Sequence, residues 1–237
     1  MSDIQGLIRD LVAANHILGA EGLCDAYGHI SVRNPDNPDT YFLSRSRSPE
    51  LVTESDILEF NLDNSPTQET ELPIYIERPI HGAVFEARPD VMSVMHNHCA
   101  EGLPFAITAT PMRPAIHNAK RLGETAPVWD IRDKFGDTDL LVTTNDQGHD
   151  LAATLGGEKC AIMRGHGCTV TGNNIPDAVQ TAIAMKNNAQ AIVRALPLGD
   201  IIYLTPGEIN SASPGMATLR GHDRAWEYLL RRAGMSE

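Results

Sequence analysis

Apolar side chains near the start of the chain recur at the spacing of an amphipathic helix. The positions that define this pattern are Ile4, Leu7, Ile8, Leu11, Val12, Ile17 and Leu18. The pattern predicts a helix over residues 4–21, and Gly22 is expected to end it because glycine commonly terminates helices.

Short apolar or alternating runs, bounded by turn residues, predict a set of strands. These runs lie at residues 29–33, 41–44, 57–62, 91–98, 140–144 and 160–164. The turn-rich segment NPDNPDT separates the first two runs, and the polar residues 45–56 predict a loop. The strands are of ordinary length for the sheet of a globular protein.

Helical patterns are interleaved with these strands. Pro79 suits the first turn of a helix that runs to about residue 88, and further helices are predicted over 148–155, 176–196, 206–212 and 215–232. Asn173 or Asn174 can cap the helix over 176–196. The chain shows no repeat, low-complexity block or long linker, so we expect an α/β or α+β class built as one layered domain over residues 1–237.

The composition excludes one class of partner. Among 237 residues, 19 Lys and Arg oppose 31 Asp and Glu, which leaves a formal net charge of −12. Such a chain repels phosphates overall, so we expect it to bind neither nucleic acid nor an anionic membrane. The first residues hold no long apolar stretch, and the 4 cysteines show no CxxC spacing. We therefore expect a cytoplasmic protein with reduced thiols.

Histidines supply the candidate chemistry. His96 and His98 lie two residues apart at the end of a predicted strand, so both imidazoles should face the same side. His166 lies between Gly165 and Gly167 after another apolar run, where the glycines predict a tight turn. Three neutral imidazoles suit Zn²⁺, Mn²⁺ or Fe²⁺ and leave positions open for substrate and water. An HxH pair alone is more often structural, but the added Gly-His-Gly turn favours a metal site.

A carboxylate near the histidines could move protons. Glu77 lies just ahead of the helix predicted to begin at Pro79. Beside a divalent ion it could serve as a ligand or as a general acid/base. The alternative is a helix N-terminal acid that the helix dipole favours. The residues themselves leave both interpretations open.

Taken together, these motifs resemble the class II aldolase/adducin family. The resemblance rests on ERPIH at 77–81, RPDV at 88–91, HNH at 96–98, GHG at 165–167 and TG at 171–172, with GHISVR at 28–33, DILE at 56–59 and GHDLA at 148–152 beside them. It covers roughly residues 5–230. It implies a three-layer α/β/α sandwich with a central, mostly antiparallel sheet, usually assembled as a homotetramer with sites near subunit interfaces.

The resemblance also implies residue roles. His96, His98 and His166 would hold the divalent metal, and Glu77 would be the acid/base. Family members include sugar-phosphate aldolases, a sugar-phosphate epimerase, aromatic-acid decarboxylases and the non-enzymatic adducin head. Adducin-type domains lack the full histidine set, which this chain has, so the resemblance implies an enzyme that is a carbon–carbon lyase.

Three segments depart from the sugar-phosphate aldolases. Those enzymes hold phosphate with a Gly-Asn in the first strand, a Ser-Gly loop after the second strand and a Ser-Ser before the acid. This chain has Gly28-His29, Ser44-Arg-Ser-Arg47 and Tyr75-Ile76 in these places. Bulky or cationic residues replace those that expose amides and hydroxyls, so a sugar phosphate is disfavoured as substrate. The changes resemble the family's decarboxylases of hydroxylated aromatic or pyridine dicarboxylic acids.

The replacing residues indicate a carboxylate ligand. Arg45 and Arg47 offer planar forks suited to a carboxylate, and His29 could donate to, or protonate, an aromatic substrate. The leading hypothesis is a divalent-metal-dependent, oxygen-independent decarboxylase of a hydroxylated aromatic or heteroaromatic (di)carboxylic acid, of use in aromatic compound catabolism. Glu77 or His29 would deliver the proton, and the residues do not choose between them.

Two other functions and several lesser residues stay open. A class II aldolase that cleaves a non-phosphorylated hydroxy-keto acid would also use arginine for a carboxylate, and a third possibility is a metal-binding interaction domain. His117, Trp129 and Tyr228 are further candidates for the substrate site, each with packing or surface exposure as the alternative. His81, one helical turn after Glu77, is expected either to support the metal site or to be a buried structural histidine.

Overall fold

A seven-stranded sheet forms the centre of the molecule, in the strand order β3-β2-β1-β4-β7-β6-β5. The computed structural model describes residues 2–211 and 219–235. Neighbouring strands are antiparallel except β5 and β6, which are parallel. The strands are β1 (His29–Arg33), β2 (Thr40–Ser44), β3 (Ile57–Asn61), β4 (Ser93–Asn97), β5 (Val128–Trp129), β6 (Cys160–Met163) and β7 (Gly167–Gly172).

Helices cover both faces of this sheet. The helices are α1 (Ile4–Ala20), α2 (Pro79–Ala87), α3 (Arg132–Phe135), α4 (Asn145–Leu155), α5 (Ile175–Ala195), α6 (Pro206–Asn210) and α7 (Leu219–Arg232). Met95 belongs to an apolar cluster with residues of α1 and α5, whereas the adjacent Val94 belongs to a cluster with residues of α2 and α4. Successive side chains of a strand point to opposite faces, so the sheet separates the two clusters. The fold is the expected three-layer α/β/α sandwich with a mostly antiparallel sheet.

The predicted strand over 140–144 is wrong. This segment is irregular, and Leu140 has a φ of 70°, a left-handed backbone conformation that interrupts an extended strand. Thr144 caps α4 by accepting from the Gln147 backbone N–H, so the helix begins at Asn145 rather than at residue 148. The apolar run favours a strand in the sequence because the side-chain pattern alone does not report backbone conformation.

Other differences concern boundaries and short elements. β5 and β7 were not predicted, because β5 is only 2 residues long and β7 is rich in threonine and glycine. α6 ends at Asn210 within the predicted 206–212, and α7 is described from Leu219 to Arg232 within the predicted 215–232; residues 212 and 215–218 lie outside the described part of the chain. Within residues 2–211 and 219–235, no helix is both long and apolar enough to cross a lipid bilayer.

Candidate metal centre and substrate cleft

The register of the sheet places the candidate site residues side by side. In the antiparallel pair β1–β4, His29 lies opposite His96, and on the other side of β4 His96 lies opposite Thr169 of β7. Residues directly opposite one another on neighbouring strands project to the same face. His98 follows one residue after β4 ends, two positions from His96. The strand pairing therefore brings His29 next to His96 and His98, although His29 is far from them in the sequence.

Glycines position His166 at the turn between β6 and β7. Gly165 has a φ of +68°, which a residue with a side chain rarely adopts. A Cβ on Gly167 would lie 2.2 Å from the Asn97 carbonyl oxygen, so only glycine permits this approach to β4. The tight turn predicted from the Gly-His-Gly sequence is confirmed, and it carries His166 toward the end of β4.

The four candidate ligands converge. One nitrogen of each of His96, His98 and His166 and one oxygen of Glu77 all lie within 4.8 Å of one another. The Nε2 atoms of His96 and His98 are 3.2 Å apart. The Glu77 Oε2 atom lies 3.5 Å from Nε2 of His96 and 3.5 Å from Nε2 of His166. The convergence expected from the two sequence motifs is thus present.

Glu77 is held by the irregular segment ahead of α4. Its Oε1 atom accepts a hydrogen bond of 3.0 Å from the Val142 backbone N–H, and its Oε2 atom faces the histidines. Burial opposes ionisation of this carboxyl, but the interaction with His166, the nearby His96 and the Val142 N–H outweigh it and lower the Glu77 pKa to about 2. The carboxylate points into the histidine cluster rather than capping α2, so the helix-dipole interpretation does not account for it.

The donor set fits a divalent metal ion. Both ring nitrogens of His166 are buried without a hydrogen-bond partner among the described residues, a costly arrangement for a group that has no other function. Burial lowers the pKa of His96 to about 3, so this imidazole is neutral at pH 7, as a metal ligand must be. Three imidazoles with a carboxylate suit Zn²⁺, Mn²⁺ and Fe²⁺ alike.

A second set of histidines lies behind the cluster. His29 Nδ1 is 2.6 Å from His81 Nε2, and His81 Nδ1 is 2.6 Å from Ser31 Oγ. All three side chains are buried. Burial, and then the neighbouring histidines, keep the pKa of His29 well below its usual value. His81 is therefore joined to His29 rather than to the metal cluster.

A cleft of about 530 Å³ opens beside the histidine cluster. Glu77, His98 and His29 contribute to its wall, together with Arg47 and Tyr75. The rest of the lining consists of Ala26, Tyr27, Gly28, Ser46, Ser48, Ile76 and Leu141. The cleft is the size of a small-molecule site, and its aromatic and aliphatic walls suit a planar ring.

The two arginines of the loop after β2 share one buried carboxylate. Arg45 donates from Nε to Asp56 Oδ1 at 2.6 Å, and Arg47 donates from Nη1 to Asp56 Oδ2 at 2.9 Å. Burial opposes ionisation of Asp56, but hydrogen bonds from Thr53 and both arginines hold its pKa well below the usual range. Arg47 lines the cleft and Arg45 is absent from its described lining, so the structure separates two residues that the sequence had treated alike.

Tyr75 was identified in the sequence only as a replacement for a phosphate-binding serine. Its ring lies against His29, with 4.2 Å between the centroids. Its hydroxyl donates to the Arg47 carbonyl oxygen at 2.5 Å and accepts from the Ser44 hydroxyl at 3.3 Å. Tyr75 thus links the arginine loop to the histidines, which only its tertiary contacts reveal.

Three lesser candidates lie elsewhere. Trp129 is 3% exposed in the core, where Nε1 donates to Asp150, and His117 is exposed at a short helical turn. Tyr228 is 59% exposed on α7. None of the three is among the described residues that line the cleft within this chain. A substrate-binding role for them, across a subunit interface for Tyr228, stays a prediction.

The chain belongs to the Class II Aldolase and Adducin N-terminal domain family, whose model matches residues 9–193. It is 34% identical over 248 aligned residues to Decarboxylase tropJ of Talaromyces stipitatus, covering 94% of this chain and 92% of that protein. It is 26% identical to 3,4-dihydroxyphthalate decarboxylase of Terrabacter sp., with 95% and 97% covered. The chain is an enzyme, and its class is carbon–carbon lyase.

A solved structure supports the same fold. The aldolase II superfamily protein from Pseudomonas syringae superposes with a TM-score of 0.78, covering 96% of this chain and 92% of its own, at 20% sequence identity. At this identity the likeness concerns the fold. The layers and the sheet described above are therefore those of class II aldolase-like proteins.

The histidine cluster generates a prediction about metal binding. Protein freed of metal should bind one Mn²⁺, Zn²⁺ or Fe²⁺ per chain, and His98→Ala should weaken binding by about 100-fold or more, because losing even a group outside the ligand set costs about 10–100-fold. Competition titration and elemental analysis measure both effects. His149→Ala is the control, since this exposed histidine pairs with Glu86 away from the cluster. Equal affinity in the two variants would contradict the assignment.

The Asp56 interactions predict a pH-dependent stability difference. The folded-state pKa of Asp56 lies below its ordinary value of 3.8, so its stabilisation is complete above that pH and disappears as the pH falls through the folded pKa. Asp56→Asn should lower the free energy of unfolding by about 2–3 kcal/mol at pH 7. The difference from wild type should shrink below pH 3.8.

Urea unfolding at a series of pH values measures this difference. Glu54→Gln, an exposed neighbour in the same turn, is the matched control and should change stability little. A loss in Asp56→Asn that stayed constant down to the lowest pH would show that the carboxylate charge is not responsible.

Proposed function

We propose that this enzyme is a divalent-metal-dependent, oxygen-independent decarboxylase of a hydroxylated aromatic or heteroaromatic (di)carboxylic acid. The observation that carries the proposal is the composition of a single cleft. Glu77, His98 and Arg47 line it together, beside the buried His96 and the half-buried His166. A metal cluster and a guanidinium in one cleft suit a substrate with an anionic group at each end.

The walls of the cleft support an aromatic substrate over a sugar phosphate. Tyr27, Tyr75 and Ile76 offer apolar surface to a flat ring. Tyr75 and Ile76 occupy the two positions before the acid, where hydroxyl groups would serve a phosphate, and the Tyr75 hydroxyl is already engaged with the Arg47 backbone. These two positions therefore offer no free hydroxyl to a phosphate.

Arg47 is the arginine we assign to a substrate carboxylate. Its Nη1 atom is held by both oxygens of Asp56, which fixes the plane of the guanidinium. Its side chain is 32% exposed, and Arg47 is among the residues that line the cleft. Arg45, bound through Nε to the same carboxylate, supports that arrangement.

The reaction requires a proton and a sink for electrons. When carbon dioxide leaves, the pair from the broken C–C bond stays with the ring, and a proton replaces the carboxyl group there. Decarboxylation with protonation is not a net oxidation of the substrate, so the reaction does not need oxygen. Bound by His96, His98 and His166, a divalent cation would supply a Lewis acid for developing oxyanion charge. Glu77 or His29, both on the cleft wall, would handle the proton.

The relatives support this chemistry. The names of two of them, a fungal decarboxylase and a bacterial dihydroxyphthalate decarboxylase, describe loss of a carboxyl group, and the second names a hydroxylated aromatic diacid. By the same relationship we propose a role in aromatic compound catabolism and assembly as a homotetramer. Mn²⁺, Zn²⁺ and Fe²⁺ are the proposed metals.

One alternative function uses the same groups. A class II aldolase acting on a non-phosphorylated hydroxy-keto acid would need the same cluster and would place a carboxylate on Arg47. The observation that favours the aldolase is that this chain belongs to a family that includes aldolases. The two reactions differ in their products, since the decarboxylase releases carbon dioxide and the aldolase releases a keto acid together with an aldehyde.

We expect metal-dependent carbon dioxide release from a member of a panel of ortho-hydroxy aromatic mono- and dicarboxylates. Metal-stripped protein would be supplied with Mn²⁺, Zn²⁺ or Fe²⁺, with and without oxygen, and carbon dioxide and the aromatic product measured together. Release should be the same in both atmospheres and be abolished in His98→Ala. Release of pyruvate from a hydroxy-keto acid, with no carbon dioxide from any aromatic acid, would favour the aldolase instead.

The Arg47 assignment predicts a substrate-dependent defect. Arg47→Ala should raise KM for a hydroxylated aromatic dicarboxylate by about 10- to 100-fold, the loss expected for a charged hydrogen-bonded pair. KM for a matched monocarboxylate without the second carboxyl group should change by less than about threefold. Arg47→Lys, which keeps the charge without the fork, should lie between wild type and Arg47→Ala. An equal effect on both substrates would contradict the assignment.

A further inference from the structure

A buried chain of hydrogen bonds runs from the cleft into the protein behind the metal cluster. It joins His29 in β1, His81 in α2 and Ser31 in β1, and it ends at the Val94 carbonyl oxygen of β4, 3.3 Å from the Ser31 hydroxyl. His81 and Ser31 are both fully buried, at 0% exposure. Neither belongs to the described ligand cluster, so the metal does not explain their arrangement.

The direction of this chain follows from its inner end. We assign the single Ser31 hydroxyl proton to the Val94 carbonyl oxygen, which can only accept, so the Ser31 oxygen accepts from His81 Nδ1–H. A neutral imidazole carries one proton, so His81 Nε2 is an acceptor and must receive the bond from His29 Nδ1–H. His29 Nε2 is then unprotonated.

That nitrogen belongs to a residue that lines the cleft, and it is free of protein partners within the described part of the chain. His29 lines the cleft, and its Nδ1 is engaged by His81. Among the described residues, Nε2 makes no protein hydrogen bond, yet it is not one of the unpartnered atoms shut off from solvent. The Tyr75 ring, 4.2 Å away between centroids, limits how the imidazole can turn.

We propose that His81 and Ser31 are positioning residues that fix His29 in the tautomer whose Nε2 lone pair accepts a proton from the substrate's ring hydroxyl and then returns it to the carbon that loses carbon dioxide. This inference rests on the proposed decarboxylase function. It assigns His29 as the proton carrier, the choice that the sequence left open between His29 and Glu77.

The decarboxylation needs no further reactant to account for its protons and electrons. The hydroxyl proton moves to His29 Nε2 and leaves an oxyanion on the ring, whose negative charge stabilises the imidazolium beside it. His29 then protonates the carboxyl-bearing carbon, which gives a ring ketone beside the carboxylate, and returns to its neutral tautomer. The bond between that carbon and the carboxylate breaks, carbon dioxide leaves, and the electron pair passes into the ring to regenerate the aromatic phenolate, which is the product. The hydroxyl-bearing and carboxyl-bearing carbons are adjacent, so one imidazole can serve both.

The tautomer can be measured without turnover. Protein labelled with ¹⁵N-histidine and loaded with Zn²⁺, which is diamagnetic, would be studied by long-range ¹H–¹⁵N correlation, with His29→Asn and His81→Gln used to assign the two rings. The expected result is a protonated Nδ1 and an unprotonated Nε2 on His29. A protonated Nε2 would overturn the proposal, whatever the kinetics show.

Paired variants of His81 test its effect on catalysis. His81→Gln keeps an amide oxygen that can accept from His29 Nδ1, whereas His81→Phe keeps a large planar side chain but no acceptor. His81→Phe should lower kcat by about 100-fold or more, the usual contribution of a positioned acid/base, with KM changed less than about threefold. His81→Gln should stay within about tenfold of wild type.

Metal content and thermal unfolding of each variant separate positioning from folding. A structural role alone would lower the melting temperature and leave kcat per metal-loaded molecule unchanged, which would overturn the proposal, as would equal losses in the two variants. If His81→Phe does not fold, the His29 tautomer decides the question. Absence of carbon dioxide release by wild type would reject the decarboxylase, and the tautomer would still show whether His81 and Ser31 orient His29.

Discussion

The antiparallel pairing of β1, β4 and β7 is the constraint on which the site depends. It sets His29 opposite His96, and it places the turn that carries His166 beside the end of β4. A shift of one residue in either pairing would turn these side chains to the opposite face of the sheet. Because Gly167 lies against the Asn97 backbone where no Cβ fits, close packing of β7 on β4 is part of the same constraint.

Burying so many polar groups near one point costs desolvation free energy. Most of these groups regain part of it by pairing with another polar group. Glu77 lies beside the imidazoles of His96 and His166 and accepts a hydrogen bond from the Val142 N–H, while Asp56 accepts from two arginines. The His29–His81 pair has its own inner partner in Ser31. The two ring nitrogens of His166 lack a hydrogen-bond partner among the described residues, and a metal ion in the cluster would satisfy Nε2, the one that lies near Glu77.

Much of the fold could be predicted because its elements follow simple patterns. The helix of residues 4–21 differs from α1 by one residue, and the strand at 29–33 is β1. The segment at 140–144 could not be predicted in this way, since its apolar residues suit a strand while Leu140 adopts a left-handed backbone. That irregularity leaves the Val142 N–H free to hold Glu77 instead of pairing in the sheet.

The sequence by itself determined the donor atoms of this site. The HxH spacing, the glycines around His166 and the acid before Pro79 are local features, and local geometry makes them converge once strands form. Only the tertiary structure decided that Arg47 rather than Arg45 lines the cleft and that Tyr75 contacts both the arginine loop and His29. It also decided that His81 forms a hydrogen bond with His29. These outcomes depend on contacts between residues far apart in the chain, and side-chain identity does not specify such contacts until the layers pack.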